Sequence, residues 1–235
     1  MQDEISKHAK KIYRLMEKSE RPLSKKIQDI TIEIFIIVFA VTLSIWLHSW
    51  SEHRHQQKEV NVFLTNLKED LKEDMSNLNS GKTHYTEFNN DYTKLLDITQ
   101  LKLDSLERTN SKLPFHVQLH GKEINDGNYE GFKSSGKLGY IENEFLKQSL
   151  LIYYQKNLPA ILVMDQYYNQ FLFKIIDIKI DNAGKTEREI YSNPKLKEAI
   201  QYLILIGKSN IKNYNELGLQ KAQDILQEIN KELEK

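Results

Sequence analysis

From Ile30 to Trp50 the chain reads Ile-Thr-Ile-Glu-Ile-Phe-Ile-Ile-Val-Phe-Ala-Val-Thr-Leu-Ser-Ile-Trp-Leu-His-Ser-Trp, an apolar run with a single carboxylate, Glu33. Coiled as a helix, it spans about 30 Å, the thickness of a bilayer's hydrocarbon core. A cleaved secretion signal begins within the first few residues and ends in small side chains. This run begins at residue 30 and ends in His and Trp, so a retained transmembrane helix over residues 30–50 is expected. Trp46 and Trp50, one turn apart at its end, are expected to anchor in the headgroup layer.

The flanks set a direction. Lys10, Lys11, Arg14, Lys18, Arg21, Lys25 and Lys26 precede the run, while Arg54, Lys58 and Lys68 follow it. Positive flanks stay in the cytoplasm. Residues 1–29 are therefore expected to be a basic cytoplasmic tail, and residues 51–235 an extracytoplasmic domain. In a two-membrane bacterium this means an inner-membrane anchor and a periplasmic domain. Within the tail, Ile5, Ala9, Ile12 and Met16 form one stripe among lysines, as in a helix lying on an anionic leaflet, and Pro22 ends it.

Glu33 lies about one turn inside the run. It either reaches the interface and pairs with Lys26, or meets a partner helix, since a carboxylate in lipid is costly. On the second reading Glu33, Ala40 and Ser44 fall on one face with Ile37 and Leu47, offering a carboxylate, a small residue and a hydroxyl to a neighbouring helix. His48 and Glu52 have metal-ligand spacing. Polar side chains are also ordinary where a helix leaves the membrane, and no metal is assigned to them.

Beyond the span, Val60, Leu64, Leu67, Leu71, Met75 and Leu78 recur at steps of three and four, predicting an amphipathic helix that continues out of the membrane. Tyr85, Phe88, Tyr92, Leu95, Leu96, Leu103 and Leu106 continue the pattern past Gly81, either as one kinked helix or as two. The aromatics favour an intramolecular bundle over a strict coiled-coil seam. Residues 109–128, with Pro114, Gly121 and Gly127, read as a long irregular stretch with a short strand near 115–119. Short turns follow to Gly139, then a helix from about Glu142, with Asn143 near its start, to about Ile180. Pro159 is expected to kink it. Asp181 to Gly184 reads as a turn. A last helix opens at Asn193-Pro194 and is softened at Gly207 or Gly218. The fold expected is all-α: a transmembrane helix continuing into a long-helix antiparallel bundle.

Chemistry is conspicuous mainly by its absence. The chain has no Cys, which removes disulfides, thiolate metal sites and Cys nucleophiles. Lys plus Arg and Asp plus Glu both total 33, so no global charge favours nucleic acid. The two Gly-Lys-Thr triplets, Gly81–Thr83 and Gly184–Thr186, lack the earlier glycine of a phosphate loop, having Ser76 and Lys179 instead. Asp181 to Gly184 lacks the alternating ligands of a calcium loop. The expectation is a protein without catalytic activity of its own and without a cofactor.

The span led by Glu33 and closed by Trp50-Ser51-Glu52, then Leu67-Lys68-Glu69-Asp70-Leu71, then Ser135-Gly136-x-Leu138-x-x-Ile141-x-Asn143-x-x-Leu146 with Tyr153-Tyr154, resemble a family of small bacterial single-pass proteins, domain of unknown function 6090. The usual Asn-x-Trp-Asn-Glu at the membrane exit is here His48-Ser49-Trp50-Ser51-Glu52. The resemblance implies the same topology and marks Glu33 and the Ser135–Asn143 loop as family features. Ser135, Gly136, Tyr140 and Asn143 are accordingly candidates for a partner or ligand loop. Two functions are expected from this material: a membrane-anchored scaffold, accessory or assembly subunit working with another membrane or envelope protein or with further copies of itself, or a periplasmic ligand-sensing bundle that signals to a separate membrane partner.

Overall fold

The computed structural model describes residues 2–17, 23–109, 111, 117–119, 121 and 125–234. The chain divides into two compact units, residues 1–59 and 60–235. The side chains of Ile5, Met16 and Lys26, together with Pro22 and residues 114–116, lie outside the described residues.

The first unit holds α1 (Gln2–Glu17) and the first part of α2 (Leu23–Leu96). In α2 the apolar run of residues 30–50 is bare. Phe35, Val38, Phe39, Ile45, Trp46 and Trp50 are all exposed, and the most apolar stretch of the helix is only 6% buried. It is the one helix among the described residues long and apolar enough to cross a membrane. A core helix of a soluble protein would bury such a stretch.

The second unit is a helical bundle. Its members are the remainder of α2, then α3 (Gln100–Arg108), α4 (Gly127–Ser134), a 3-10 turn at Lys137–Tyr140, α5 (Glu144–Ile152), α6 (Leu158–Asp181), α7 (Glu187–Tyr191), α8 (Pro194–Asn213) and α9 (Gln220–Leu233). Wider π turns join α5 to α6 at Tyr153–Asn157 and α8 to α9 at Tyr214–Leu219. Three long rods result. Leu78 lies beside Gly218, Gly81 beside Tyr214 and Asn89 beside Gly207, so α8–α9 runs antiparallel to α2. Tyr85 meets Asp165 and Tyr168, and α6 packs on α8 while α5 packs on α9. The rod α5–α6 therefore runs with α2 and against α8–α9, and α4 begins beside Asp70 of α2. Val60, Leu64, Leu67, Leu71, Tyr85, Leu150, Tyr153, Tyr168, Leu172, Ile200, Leu203, Ile225 and Ile229 form the core.

The helix starts have local causes. Asn143 accepts from the Leu146 N–H at 3.0 Å, and Asn193 from the Lys195 N–H at 2.9 Å with Pro194 in the first turn. Thr99 accepts from the Lys102 N–H at 3.3 Å and opens α3. Gly136 (φ +74°) and Gly184 (φ +91°) occupy the left-handed turns after α4 and α6, where a side chain would be strained.

Several details differ from the sequence reading. The helix passes Gly81 unbroken and ends instead at Leu96, where the Thr99 cap begins a new one. Ahead of Pro159 the chain adopts a π turn, which supplies a wider spacing next to a residue that lacks an N–H. Gly207 lies inside an unbroken α8; the irregularity falls at the π turn containing Gly218. Residues 117–119 form no strand. The segment after the 181–184 turn holds α7, opened by a capping box in which Thr186 and Glu189 satisfy each other's backbone N–H groups. The Thr186 backbone and hydroxyl donors hold the Glu189 carboxyl below its usual range.

Candidate functional site

In the first unit, Glu33 is buried and its carboxylate is clasped from α1 by His8 Nδ1 and by Lys11 Nζ at 3.1 Å. The helical tail thus supplies the countercharge that a carboxylate in an apolar stretch requires. Ala40 and Ser44 are exposed on α2, as are Trp46 and Trp50. The Arg54 guanidinium lies 4.9 Å over the Trp50 ring, a cation–π contact. His48 and Glu52 are 3.6 Å apart and exposed, and no group of three His, Cys, Asp or Glu side chains able to hold a metal occurs among the described residues.

Inside the bundle, Asp165 is buried at the centre of a network. Tyr85 donates to its Oδ1 at 2.6 Å, Tyr214 donates to its Oδ2 at 2.7 Å, and Asn210 lies 3.5 Å from Oδ1. All three rods meet there, α2 through Tyr85, α5–α6 through Asp165 and α8–α9 through Asn210 and Tyr214. Burial pushes the Asp165 carboxyl up, while the two phenols pull it back; burial and the adjacent carboxylate push both phenols up. Tyr85 and Tyr214 direct their hydroxyls at the carboxylate, Asn210 donates also to the Met164 carbonyl at 3.3 Å, and the arrangement fixes the register of three helices. Sequence reasoning missed it because Asp165, Tyr85 and Tyr214 are far apart in the chain and each fits an ordinary helical stripe.

A second constellation lies where α2 meets the start of α4 and the π turn after α5. Asp70 and Asp74, one turn apart on α2, are buried. Asn125 donates through its backbone to Asp74 Oδ1 at 3.3 Å and through its amide to Asp70 Oδ1 and Glu73 Oε2, both at 3.3 Å. Asn128 donates to Asp70 Oδ2 at 2.7 Å. Asp74 Oδ2 is buried with no hydrogen-bond partner among the described residues, and so are the hydroxyls of Tyr153 and Tyr154. Burial, followed by the charges of Asp70, Glu73 and Asp126, pushes the Asp74 carboxyl up to about 6. Burial, followed by electrostatic coupling between the phenols and the Asp74 charge, pushes Tyr153 up; Tyr154 rises for the same reasons, with Tyr153 adding to them. Tyr129 stacks on Tyr154 with ring centres 4.3 Å apart and roofs the group. A local sequence cue existed in the Asp70–Asp74 spacing, which puts two acids on one face; that this face is buried was not legible.

The loop singled out from the sequence is put to structural use. Ser135 ends α4 and donates to the Phe132 carbonyl at 2.8 Å, Gly136 is an exposed left-handed turn, Tyr140 is half-buried in the 3-10 turn, and Asn143 caps α5 and donates to Glu232 Oε2 at 3.1 Å. These four residues are not gathered with Asp70 and Asp74 by any contact described, whereas Asn125 and Asn128, just before them, are.

No curated protein and no solved structure matches the chain. The family of unknown function DUF6090 matches residues 33–177, a stretch that opens at Glu33 and contains Asp70, Asp74, Asn125, Asn128, the Ser135–Asn143 segment and Asp165, and the chain belongs to that family.

Proposed function

We propose that the protein is a membrane-anchored helical scaffold or accessory subunit of an envelope complex, with its N-terminus in the cytoplasm and its bundle in the periplasm of a bacterium. The observation that carries this reading is the contrast between two parts of α2. From Val60 on, the apolar stripe of Leu64, Leu67, Leu71 and Tyr85 is buried among the chain's own helices, while most apolar side chains of residues 30–50 are bare and need lipid or another helix. Exposed tryptophans at one end and a basic tail at the other fit an anchor crossing from cytoplasm to periplasm. The buried polar residues with complete hydrogen bonding, Asp165 above all, act within the bundle, which leaves its surface and its anchor as the parts that meet a partner.

Two measurements test it. A reporter active only in the periplasm, fused after Lys235, is expected to be active, and one fused within residues 1–25 silent; the reverse pattern overturns the orientation. Affinity capture of the full chain from mild detergent is expected to recover another membrane or envelope protein in fixed ratio. Recovery of the lone chain as a monomer removes the scaffold role.

One observation favours the ligand-sensing reading as the second choice: the buried, unpartnered oxygens of Asp74, Tyr153 and Tyr154 mark a place inside the bundle where a small ligand gains polar contacts.

A further inference from the structure

The Asp70–Asp74 constellation leaves a physical debt inside the bundle. Two carboxylates one helical turn apart on α2 are buried, and like charges at that spacing repel. The hydrogen-bond donors on them are neutral: the Asn125 backbone N–H, the Asn125 amide and the Asn128 amide. No lysine or arginine among the described residues pairs with either acid, although ion pairs such as Lys72 with Glu69 and Lys133 with Glu130 lie nearby on the same helices. A buried anion answered only by neutral donors is costly.

Three oxygens in this part of the bundle have no partner among the described residues. Asp74 is only 4% exposed, and its Oδ2 accepts nothing. Tyr153 is fully buried and Tyr154 nearly so, and both hydroxyls are unpartnered. Tyr154 stacks on Tyr129, the residue after Asn128, and stands edge-on to Tyr153 with ring centres 5.1 Å apart, and the Asp74 charge adds to the upward push on both phenols. In a folded protein such orphan oxygens call for an occupant, because buried polar atoms are otherwise satisfied. The occupant has to be positive, or a donor, and small, since Tyr129 covers Tyr154 at stacking distance.

We propose that Asp70 and Asp74, with Asn125, Asn128 and the hydroxyls of Tyr153 and Tyr154, bind a hard, oxygen-preferring cation of the calcium type. Every available ligand is oxygen. The amides of Asn125 and Asn128, which donate to Asp70, present carbonyl oxygens after a half-turn of the amide. Glu73 and Asp126, both exposed at the rim, add negative potential to the entrance. Because no three acidic or His side chains are gathered into a cage among the described residues, the ion takes the rest of its roughly six to eight oxygens from amides, phenols and water. Such a site is weak, on the order of 0.1–1 mM, the range of extracellular calcium modules. Bound there, the ion neutralises the acid pair and ties α2 to the start of α4 and to the π turn between α5 and α6. This deepens the ligand-sensing reading by naming the ligand, and it is measured on purified protein, so that topology and binding fail or succeed separately.

The test uses the full chain in detergent micelles, stripped with a chelator and held at pH 7.5 in about 0.15 M potassium chloride to screen surface binding. Equilibrium dialysis with radioactive calcium is expected to show saturable binding near one ion per chain. At ten times the dissociation constant the melting temperature should rise by roughly 3–5 °C by mass action, and magnesium, which demands tighter octahedral geometry, should do less. Asp74→Asn and, independently, Asp70→Asn should lose both effects, while Asp224→Asn, an exposed acid on α9, should keep them. Absence of saturable calcium binding up to several millimolar overturns the proposal. Equal binding by both variants also overturns it, because the ion is then elsewhere. If calcium is without effect and the wild-type chain is stabilised only by lowering the pH through about 6, a proton is the sole occupant and the proposal falls.

Discussion

Tyr85 on α2 donates its hydroxyl to Asp165 on α6 at 2.6 Å, in the middle of a bundle whose core runs from Val60 to Ile229. The carboxylate is buried and holds no cationic partner among the described residues, so the phenols of Tyr85 and Tyr214 carry its compensation. A fragment of residues 56–235 contains this whole arrangement and is expected to unfold cooperatively. In it, Tyr85→Phe should cost about 1–3 kcal/mol, since one carboxylate oxygen is left with only the distant Asn210 amide. Tyr85→Phe with Tyr214→Phe should cost more than the sum of the two, because the second loss strands the charge. Urea unfolding of the single and double variants measures the coupling.

Two glycines hold the rods close. A Cβ at Gly81 would stand 2.4 Å from a Tyr214 ring carbon, and one at Gly207 2.3 Å from Asn89 Oδ1, whose amide donates to the Ile204 carbonyl at 3.2 Å. Gly207→Ala and Gly81→Ala are each expected to destabilise by about 1–3 kcal/mol through overpacking. Gly131→Ala, in the open on α4, should instead stabilise by about 0.5–1 kcal/mol. Melting temperatures of the three variants decide this.

Asp74 gives a pH dependence with a definite sign. Its folded pKa, about 6, is raised above the ordinary 3.8, so the folded state holds the proton more tightly than the unfolded chain. Its contribution is favourable at low pH, and it is lost as pH rises from about 4 through about 6. In the presence of chelator, Asp74→Asn should match the wild-type melting temperature near pH 4 and exceed it above pH 6. A difference that stays constant with pH would remove Asp74 as the titrating group.

Glu33 separates the anchor from its tail. Because His8 and Lys11 meet its carboxylate, Glu33→Leu is expected to free α1 and speed proteolysis of the first seventeen residues without reducing membrane insertion. Ala40→Leu, on exposed α2 surface, should leave α1 protected but lower recovery of the native complex if another helix packs there. Limited proteolysis and capture yield, read on the same preparations, distinguish the two effects.

The rods were readable from the chain because each rests on a local rule. Leu64, Leu67, Leu71 and Leu78 repeat at helical spacing, and Asn143 and Asn193-Pro194 carry their own caps. The clasp on Glu33 was half legible: an acid in an apolar run demands a cation, but the nearby Lys26 was as reasonable a partner as His8 and Lys11, which come from another helix. The Asp70–Asp74 constellation was legible only as two acids on one helix face, and the Asp165 constellation was not legible at all. Each joins segments more than forty residues apart, and in sequence their acids look like solvated surface among lysines. Only the packing reveals that these carboxylates face inward.

The π turn at Tyr214–Leu219 bears on how this chain can change length. Asn210, Tyr214, Gly218 and Ala222 all point inward at successive steps of four. On a straight α-helix each such step drifts by about 40°, so three of them would carry the inward face about 120° round the rod. The wider turn takes up that drift, and its counterpart at Tyr153–Asn157 sits against it, with Asn157 donating to the Leu217 carbonyl at 3.4 Å. Each turn acts as a phase corrector between two stretches of helix that point their apolar sides at different neighbours. Straightening it to ordinary α geometry without removing a residue would rotate everything beyond it by about 100°, swinging Ala222, Ile225 and Ile229 out of the core, whereas removing one residue along with the turn would leave them facing inward. A relative that lacks such a turn must therefore either carry one residue fewer there or have shifted its apolar residues by one position over the whole remaining helix.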